Sequence, residues 1–236
     1  MNAAAARERI ARRIAREFRP GDLVNLGIGL PTQVAAFLPE DGSVRVHAEN
    51  GIVGMGPAAE PGEEDPDLID AGGRYVTVRP GAAFTDSVVS FGLVRSGVVD
   101  ACVLGAFQVA ANGDLANWRV PGRAAPGVGG AMELAQKARR VIVATLHQDR
   151  DGAPKLITAC DLPRTARGTV TRIVTERAVL EPAGDAFRLL ELAPDEDLDD
   201  VRAATGAPLR ADDLRAWGGH AGDAVPPDPA KEGSAP

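Results

Sequence analysis

The chain is poor in the residues that build covalent or metal scaffolds. Only two cysteines, Cys102 and Cys160, occur in 236 residues, too few for a disulfide framework or a thiolate zinc site. The three histidines, His47, His147 and His220, are scattered, so a metal-free chemistry in a reducing compartment is the expectation. No apolar run is long enough to cross a bilayer. The N-terminal arginines and alanines are followed by no apolar segment, so this end does not read as a secretory signal, and a cytoplasmic location is expected. Basic residues are outnumbered 26 to 33, for a net charge of −7, which argues against a nucleic-acid footprint. What is present is an ordinary globular mixture, 44% hydrophobic and 25% charged, large enough for one substantial domain or two small ones.

Residues 1–19 read as an amphipathic helix. Ile10, Ile14 and Phe18 form its apolar stripe, Arg7, Arg12, Arg13 and Arg16 cover much of the rest, and Pro20-Gly21 ends it. A buried strand over 23–26 runs into Gly27-Ile28-Gly29-Leu30-Pro31-Thr32 and a helix carrying Val34, Ala35, Phe37 and Leu38. A dinucleotide fingerprint would need a third glycine where Thr32 stands, so close strand–helix packing is the better reading of this turn. Further strands are expected over 44–48, 75–78, 98–104 and 140–146, with a turn at Pro80-Gly81 and helices over 87–95, from Ala131 and over 198–205. Residues 58–67 read as an acidic, proline-containing loop, Asn112-Gly113-Asp114 as a hairpin turn, and 155–192 as short β runs. The alternation implies an α/β domain over 1–214, three layers deep, α/β/α, with a largely parallel or mixed central sheet. Residues 215–236 turn Gly-, Pro- and Asp-rich and are expected to be a disordered tail.

One stretch organises the rest: His47-Ala48-Glu49-Asn50-Gly51-Ile52-Val53-Gly54-Met55-Gly56-Pro57. It sets a carboxylate at the end of a strand, before an Asn-Gly turn, with glycines at 51, 54 and 56 that let the backbone bend or approach a ligand. That placement suits a nucleophilic or acid/base carboxylate, although from pattern alone a solvated turn glutamate is the stronger reading. Gly127-Val128-Gly129-Gly130, ahead of a helix, is either a plain loop-to-helix entry or a set of N–H groups for a phosphate or oxyanion. Cys102 and Cys160 read as buried apolar side chains, and His47 and His147 as structural residues bordering strands.

Asn25-Leu-Gly-Ile-Gly-Leu-Pro31 and Glu49-Asn-Gly-Ile-Val-Gly-Met-Gly-Pro57 together resemble the B (beta) subunit of the 3-oxoacid CoA-transferases. The likeness continues in order through Asp67-Leu-Ile-Asp-Ala-Gly72, Pro80-Gly-Ala-Ala-Phe84, Ser90-Phe-Gly92, Gly105-Ala-Phe-Gln-Val109, Gly113-Asp-Leu-Ala-Asn-Trp118 and Gly129-Gly-Ala-Met132, covering roughly residues 5–210. The resemblance implies that Glu49 is a covalent nucleophile in transfer of CoA from a donor such as succinyl-CoA to acetoacetate or 3-oxoadipate. It implies no metal and no cofactor, CoA being a substrate. It also implies an obligatory A subunit, in a heterodimer or heterotetramer. Asn50, Gly51, Gln108, Gly129 and Gly130 are the expected substrate-binding or oxyanion groups. The chain departs from the family at Ala48, where Ser is usual, in the Ala-Ala-Glu after Pro57, and over residues 160–168. A non-catalytic sugar-phosphate or nucleotide-binding domain, and a sugar-phosphate isomerase using a lone carboxylate as base, are the other readings the pattern admits.

Overall fold

A computed structural model describes residues 1–122, 127–212 and 214–218. In chain order its elements are α1 (Ala3–Ala15), β1 (Leu23–Leu26), a 3-10 helix (Pro31–Phe37), β2 (Arg45–Ala48), β3 (Ile52–Ala58), β4 (Val76–Phe84), α2 (Ser87–Arg95), β5 (Ala101–Leu104), β6 (Gln108–Ala110), β7 (Leu115–Ala116), α3 (Ala131–Lys137), β8 (Arg140–Ala144), β9 (Leu156–Ile157), β10 (Arg172–Val174), β11 (Ala178–Pro182), β12 (Phe187–Leu192), α4 (Leu198–Ala204) and β13 (Leu209–Arg210). Ten strands make one sheet, ordered β13-β12-β11-β10-β8-β5-β1-β2-β3-β4. Its middle, β2-β1-β5-β8-β10, is parallel, and antiparallel pairs flank it on both sides. This is the mixed α/β sheet expected.

Successive side chains of a strand face opposite ways, and here each face has its own core. Ala101 and Val103 of β5 and Ile142 and Ala144 of β8 join Ile10 and Ile14 of α1 and Val34 of the 3-10 helix. Cys102, Leu104, Val141 and Val143 join Val94 of α2, Leu134 of α3 and Val201 of α4 on the other side. Helices therefore cover both faces of the sheet.

α1 starts where Asn2 Oδ1 accepts from the Ala5 N–H at 2.9 Å, satisfying one orphan donor. Its Arg13, one of the arginines expected to cover the helix outside the apolar stripe, is instead buried at 2% exposure. The guanidinium donates to Glu191 of β12 at 2.7 and 2.5 Å and pairs with Glu17 at 2.6 Å, so a buried charge is met on both sides. Five residues of and beside the expected tail are described, 214–218. Trp217 packs against the α1 core, and the Gly218 N–H donates to Glu191 Oε2 at 2.8 Å. Residues 219–236 lie outside the described residues.

Two expectations need correction. Pro80-Gly81 does not turn the chain: β4 runs through it, and β4 is an edge strand, where a missing N–H breaks no ladder. The glycines after Glu49 serve β3 rather than a ligand. A Cβ on Gly56 would stand 2.3 Å from Thr77 Oγ1, and one on Gly54 3.1 Å from Ala82 Cα, so both let β3 press against β4. Pro31 opens a 3-10 helix with no side-chain cap.

Candidate active site

β1 and β2 are parallel neighbours, and their register sets Asn25 beside His47. Val24, Leu26, Val46 and Ala48 face the α1 core, which turns Asn25 and His47 to the opposite face, toward α2. Both are fully buried, so their polar atoms need partners. Asn25 Nδ2 lies 3.1 Å from the His47 carbonyl oxygen, 3.2 Å from His47 Nδ1 and 3.0 Å from Glu49 Oε2. His47 Nε2 lies 2.9 Å from Ser90 Oγ of α2. Because an amide NH2 only donates, His47 Nδ1 is the acceptor and Nε2–H donates to Ser90. Burial pushes the His47 imidazole down to about 4, so the ring is neutral at neutral pH.

Glu49 follows the last residue of β2, two positions beyond His47 and half-buried. It lines a cleft of about 1040 Å³ that runs past the carboxyl ends of the parallel strands, the usual ligand position in such sheets. Among the described residues no group hydrogen-bonds Oε1. Leu104, Gly105 and Ala106 at the end of β5, and Ala144, Thr145 and Leu146 at the end of β8, form other parts of the wall. Lys155 also lines it, its ammonium donating to Thr145 Oγ1 at 3.1 Å. Burial pulls the Lys155 pKa down, the nearby Asp149 and Glu176 oppose this, and Arg7 adds to it.

The expected site residues do not all converge. Gly129 and Gly130 line the cleft ahead of α3. A Cβ on Gly130 would stand 2.9 Å from Phe91 Cζ and in ordinary contact, 3.5 Å, with Glu49 Cγ, so a side chain here would require the Phe91 ring to shift. Among the described residues neither glycine N–H finds an acceptor in the chain. Asn50 lines the cleft, yet its Nδ2 donates to the Ile69 carbonyl at 2.8 Å. Gly51 makes the turn at φ 127°, where an added Cβ would strike the Thr85 carbonyl oxygen at 2.0 Å. Its N–H is committed to the Ala48 carbonyl at 2.9 Å, which removes it as an oxyanion donor. Gln108 does not line the cleft. Its amide donates to Asp161 and accepts from the Asp161 and Leu162 N–H groups, so it braces a loop.

Cys102 is buried in β5 as read from the sequence, whereas Cys160 is only half-buried and lies in a loop. Burial pushes the Cys102 thiol up to about 12 and the Cys160 thiol to about 11, leaving little thiolate for nucleophilic work. Asn25 was missed. The available signal was a polar residue inside each of two apolar strands, Asn25 and His47, since buried polar groups must find one another.

Comparison with known proteins agrees with this layout. The family profile described as coenzyme A transferase matches residues 7–204. The chain is 49% identical over 202 residues to the beta chain of the acetate CoA-transferase of Escherichia coli strain K12, covering 86% of this chain and 92% of that one. It is 44% identical over 204 residues to the corresponding (B-type) chain of the 3-oxoadipate CoA-transferase of Acinetobacter baylyi, covering 86% and 94%. Among solved structures, an acyl-CoA transferase from Escherichia coli O157:H7 superposes with a TM-score of 0.72 at 22% identity, over 89% of this chain. This chain spans 43% of that longer one; at such identity the likeness concerns the fold.

Proposed function

Because the chain belongs to the coenzyme A transferase family, we propose that it is the nucleophile-bearing subunit of an enzyme that moves CoA from an acyl-CoA such as succinyl-CoA to a 3-oxoacid such as acetoacetate or 3-oxoadipate. The observation that carries this reading is the state of Glu49. The carboxylate stands at a strand end in an open cleft, one oxygen tethered by Asn25 and the other unengaged among the described residues.

The chemistry explains the residue type. Glu49 attacks the acyl carbonyl of the donor thioester, forming a mixed anhydride and releasing CoA thiolate. The thiolate adds to the glutamyl carbonyl, freeing the donor acid and leaving CoA on Glu49 as a thioester. An incoming acid reverses the two steps, and kinetics are ping-pong. A serine would store CoA's acyl partner as an oxygen ester, too low in energy to remake a thioester; a carboxylate keeps the exchange nearly isoenergetic. The Gly129 and Gly130 N–H groups, on the cleft wall, are the groups we assign to the oxyanion formed on the substrate carbonyl, an interaction whose loss costs about 10²–10³ in rate in comparable sites. Lys155 and Arg7 give the cleft positive charge that suits a carboxylate substrate.

Anhydride and thioester must be kept from water, and this cleft is open. Ile28 and Phe107, at its edge, are 66% and 42% exposed, and Phe84 and Val88 are 61% and 75% exposed. An A subunit seated on these side chains would close the cleft and contribute to CoA binding, consistent with the relatives being named as one of two kinds of subunit.

The reading is tested by co-expressing the chain with its A partner, adding succinyl-CoA without acceptor, and then treating with borohydride. Permanent inactivation that depends on the acyl-CoA is expected. Near wild-type activity in Glu49→Ala would overturn the reading. For the partner, size measurement of the active species should show a hetero-oligomer; a fully active lone monomer contradicts it. A panel of acetate, acetoacetate and 3-oxoadipate then identifies the acceptor.

A further inference from the structure

Asn25 Nδ2 donates to Glu49 Oε2 at 3.0 Å, and among the described residues nothing hydrogen-bonds Oε1. We propose that Asn25 is a catalytic residue: its amide NH2 leaves Oε1 as the nucleophile and stabilises the charge that builds on Oε2 when the thiolate adds to the glutamyl carbonyl. The proposal rests on the glutamyl-thioester reading above and assigns the oxyanion donor for the enzyme-side intermediate, which Gly129 and Gly130 leave unserved if they hold the substrate oxygen.

The step balances without a proton or an oxidant. In the mixed anhydride, Oε1 bridges the glutamyl carbon and the donor acyl carbon, and Oε2 is the glutamyl carbonyl oxygen. The CoA sulfur forms a bond to the glutamyl carbon, and the carbonyl electron pair moves onto Oε2. That pair then returns, the bond from the glutamyl carbon to the bridging oxygen breaks, and the donor acid leaves as its carboxylate. Oε2 passes from a neutral carbonyl oxygen to a full alkoxide and back. A donor 3.0 Å away therefore binds the tetrahedral state more strongly than the anhydride before it, which is the condition for acceleration.

The surroundings hold this donor in place. Three acceptors converge on Asn25 Nδ2, namely Glu49 Oε2, the His47 carbonyl and His47 Nδ1. Turning the amide over would set its oxygen against a carboxylate and a carbonyl. Asn25 Oδ1 meanwhile has no hydrogen-bond partner among the described residues although the side chain is fully buried. An unpaired buried acceptor is unfavourable, and the fold retains one while keeping the NH2 on Glu49. Ser90 fixes the ring behind it.

The test is the single-turnover rate at which Glu49 acquires CoA from acyl-CoA, followed by mass across a pH series in the assembled enzyme. Asn25→Ala should slow this by about 10²-fold with the acyl-CoA KM within a few-fold of wild type. Asn25→Asp, nearly the same shape, places a second carboxylate against Glu49. The pair then holds a proton between them, and once that proton is lost the new carboxylate has none to donate to Oε2, so thioester formation should be slow at neutral pH and stay slow at higher pH. A purely structural role would instead let the rate recover once the shared proton is lost. Wild-type rate and an unchanged profile in Asn25→Asp would overturn the assignment. Should the variants fail to fold, the wild-type enzyme still decides. The infrared carbonyl stretch of its trapped Glu49 thioester should lie below that of the same thioester in apolar solvent, and an unshifted band removes the hydrogen bond. A wild-type enzyme that turns over without forming any Glu49–CoA adduct would instead sink the underlying glutamyl-thioester reading.

Discussion

His47 and His147 are alike by local measures and differ in what they hold. Both are fully buried, burial pushes both imidazoles down to about 4, and both place each ring nitrogen on a neutral group. His147 joins Thr175, just after β10, to Thr205 at the end of α4 at 3.0 and 2.9 Å, and the chain of bonds stops in the core. His47 joins Ser90 to Asn25, and Asn25 reaches Glu49 in the cleft. A depressed pKa therefore reports burial in both places. Function is read from where the bonded chain ends.

The comparison can be broken or sharpened by substitution. Removing the end of the His47 chain should matter most. Glu49→Gln cannot form an anhydride, and kcat should fall by on the order of 10⁴–10⁶, the scale seen when a covalent nucleophile is lost; steady-state assay with succinyl-CoA checks it.

Acid should expose the feature the two histidines share. In the unfolded chain each takes a proton near 6.5, whereas in the fold each takes it only near about 4. Between these values the unfolded state binds more protons, so stability is full above about pH 6.5 and is lost as pH falls toward 4. Each histidine contributes roughly 3 kcal/mol across the whole window, read as urea midpoints against pH.

His147→Ala should separate the two. It strands two buried hydroxyls and opens a cavity, costing about 2–4 kcal/mol and flattening about half of the acid dependence, with kcat per folded molecule unchanged. Gly130→Ala acts only on the cleft. The new methyl group collides with the tip of Phe91, whose displacement disturbs the cleft wall beside Glu49, so kcat should drop about 10–100-fold, in line with a misplacement near 1 Å, while the melting temperature changes little. Ser90→Ala should be mildest, about 1 kcal/mol of stability for one lost hydrogen bond, with a few-fold lower kcat that the His147 variant does not share.

The parts of this molecule legible in its sequence are those fixed by short-range pattern. Alternating and continuous apolar runs revealed β1, β5 and β8, and the 87–95 helix was found at its observed bounds, Ser87–Arg95, with Asp86 accepting from the Val89 N–H as its cap. The position of Glu49 at a strand end was legible because a carboxylate before Asn-Gly is a local feature, but that pattern alone favours a solvated glutamate, and only the ordered family resemblance singled it out. The β3–β4 hairpin was not, because Gly54, Gly56, Pro80 and Gly81 are breakers by local rule and become acceptable only at an edge where two backbones press together. Asn25 was invisible for a different reason. Its partner His47 is 22 positions away and meets it only through the parallel register of β1 and β2, which no spacing in the chain encodes. Gln108 shows the converse: a polar residue inside a family-like motif whose side chain the fold directs to a loop around Asp161 and Leu162.

The covalent role of Glu49 is tested most directly with an acceptor acid whose carboxylate carries a heavy oxygen isotope. On the proposed mechanism the acid attacks the glutamyl thioester through one of its own oxygens, and that oxygen stays on Glu49 when the thiolate takes the acyl group away. After many turnovers of the assembled enzyme, the peptide containing Glu49 should carry the label, and other peptides should not. Sustained CoA transfer with no label in that peptide would contradict the account.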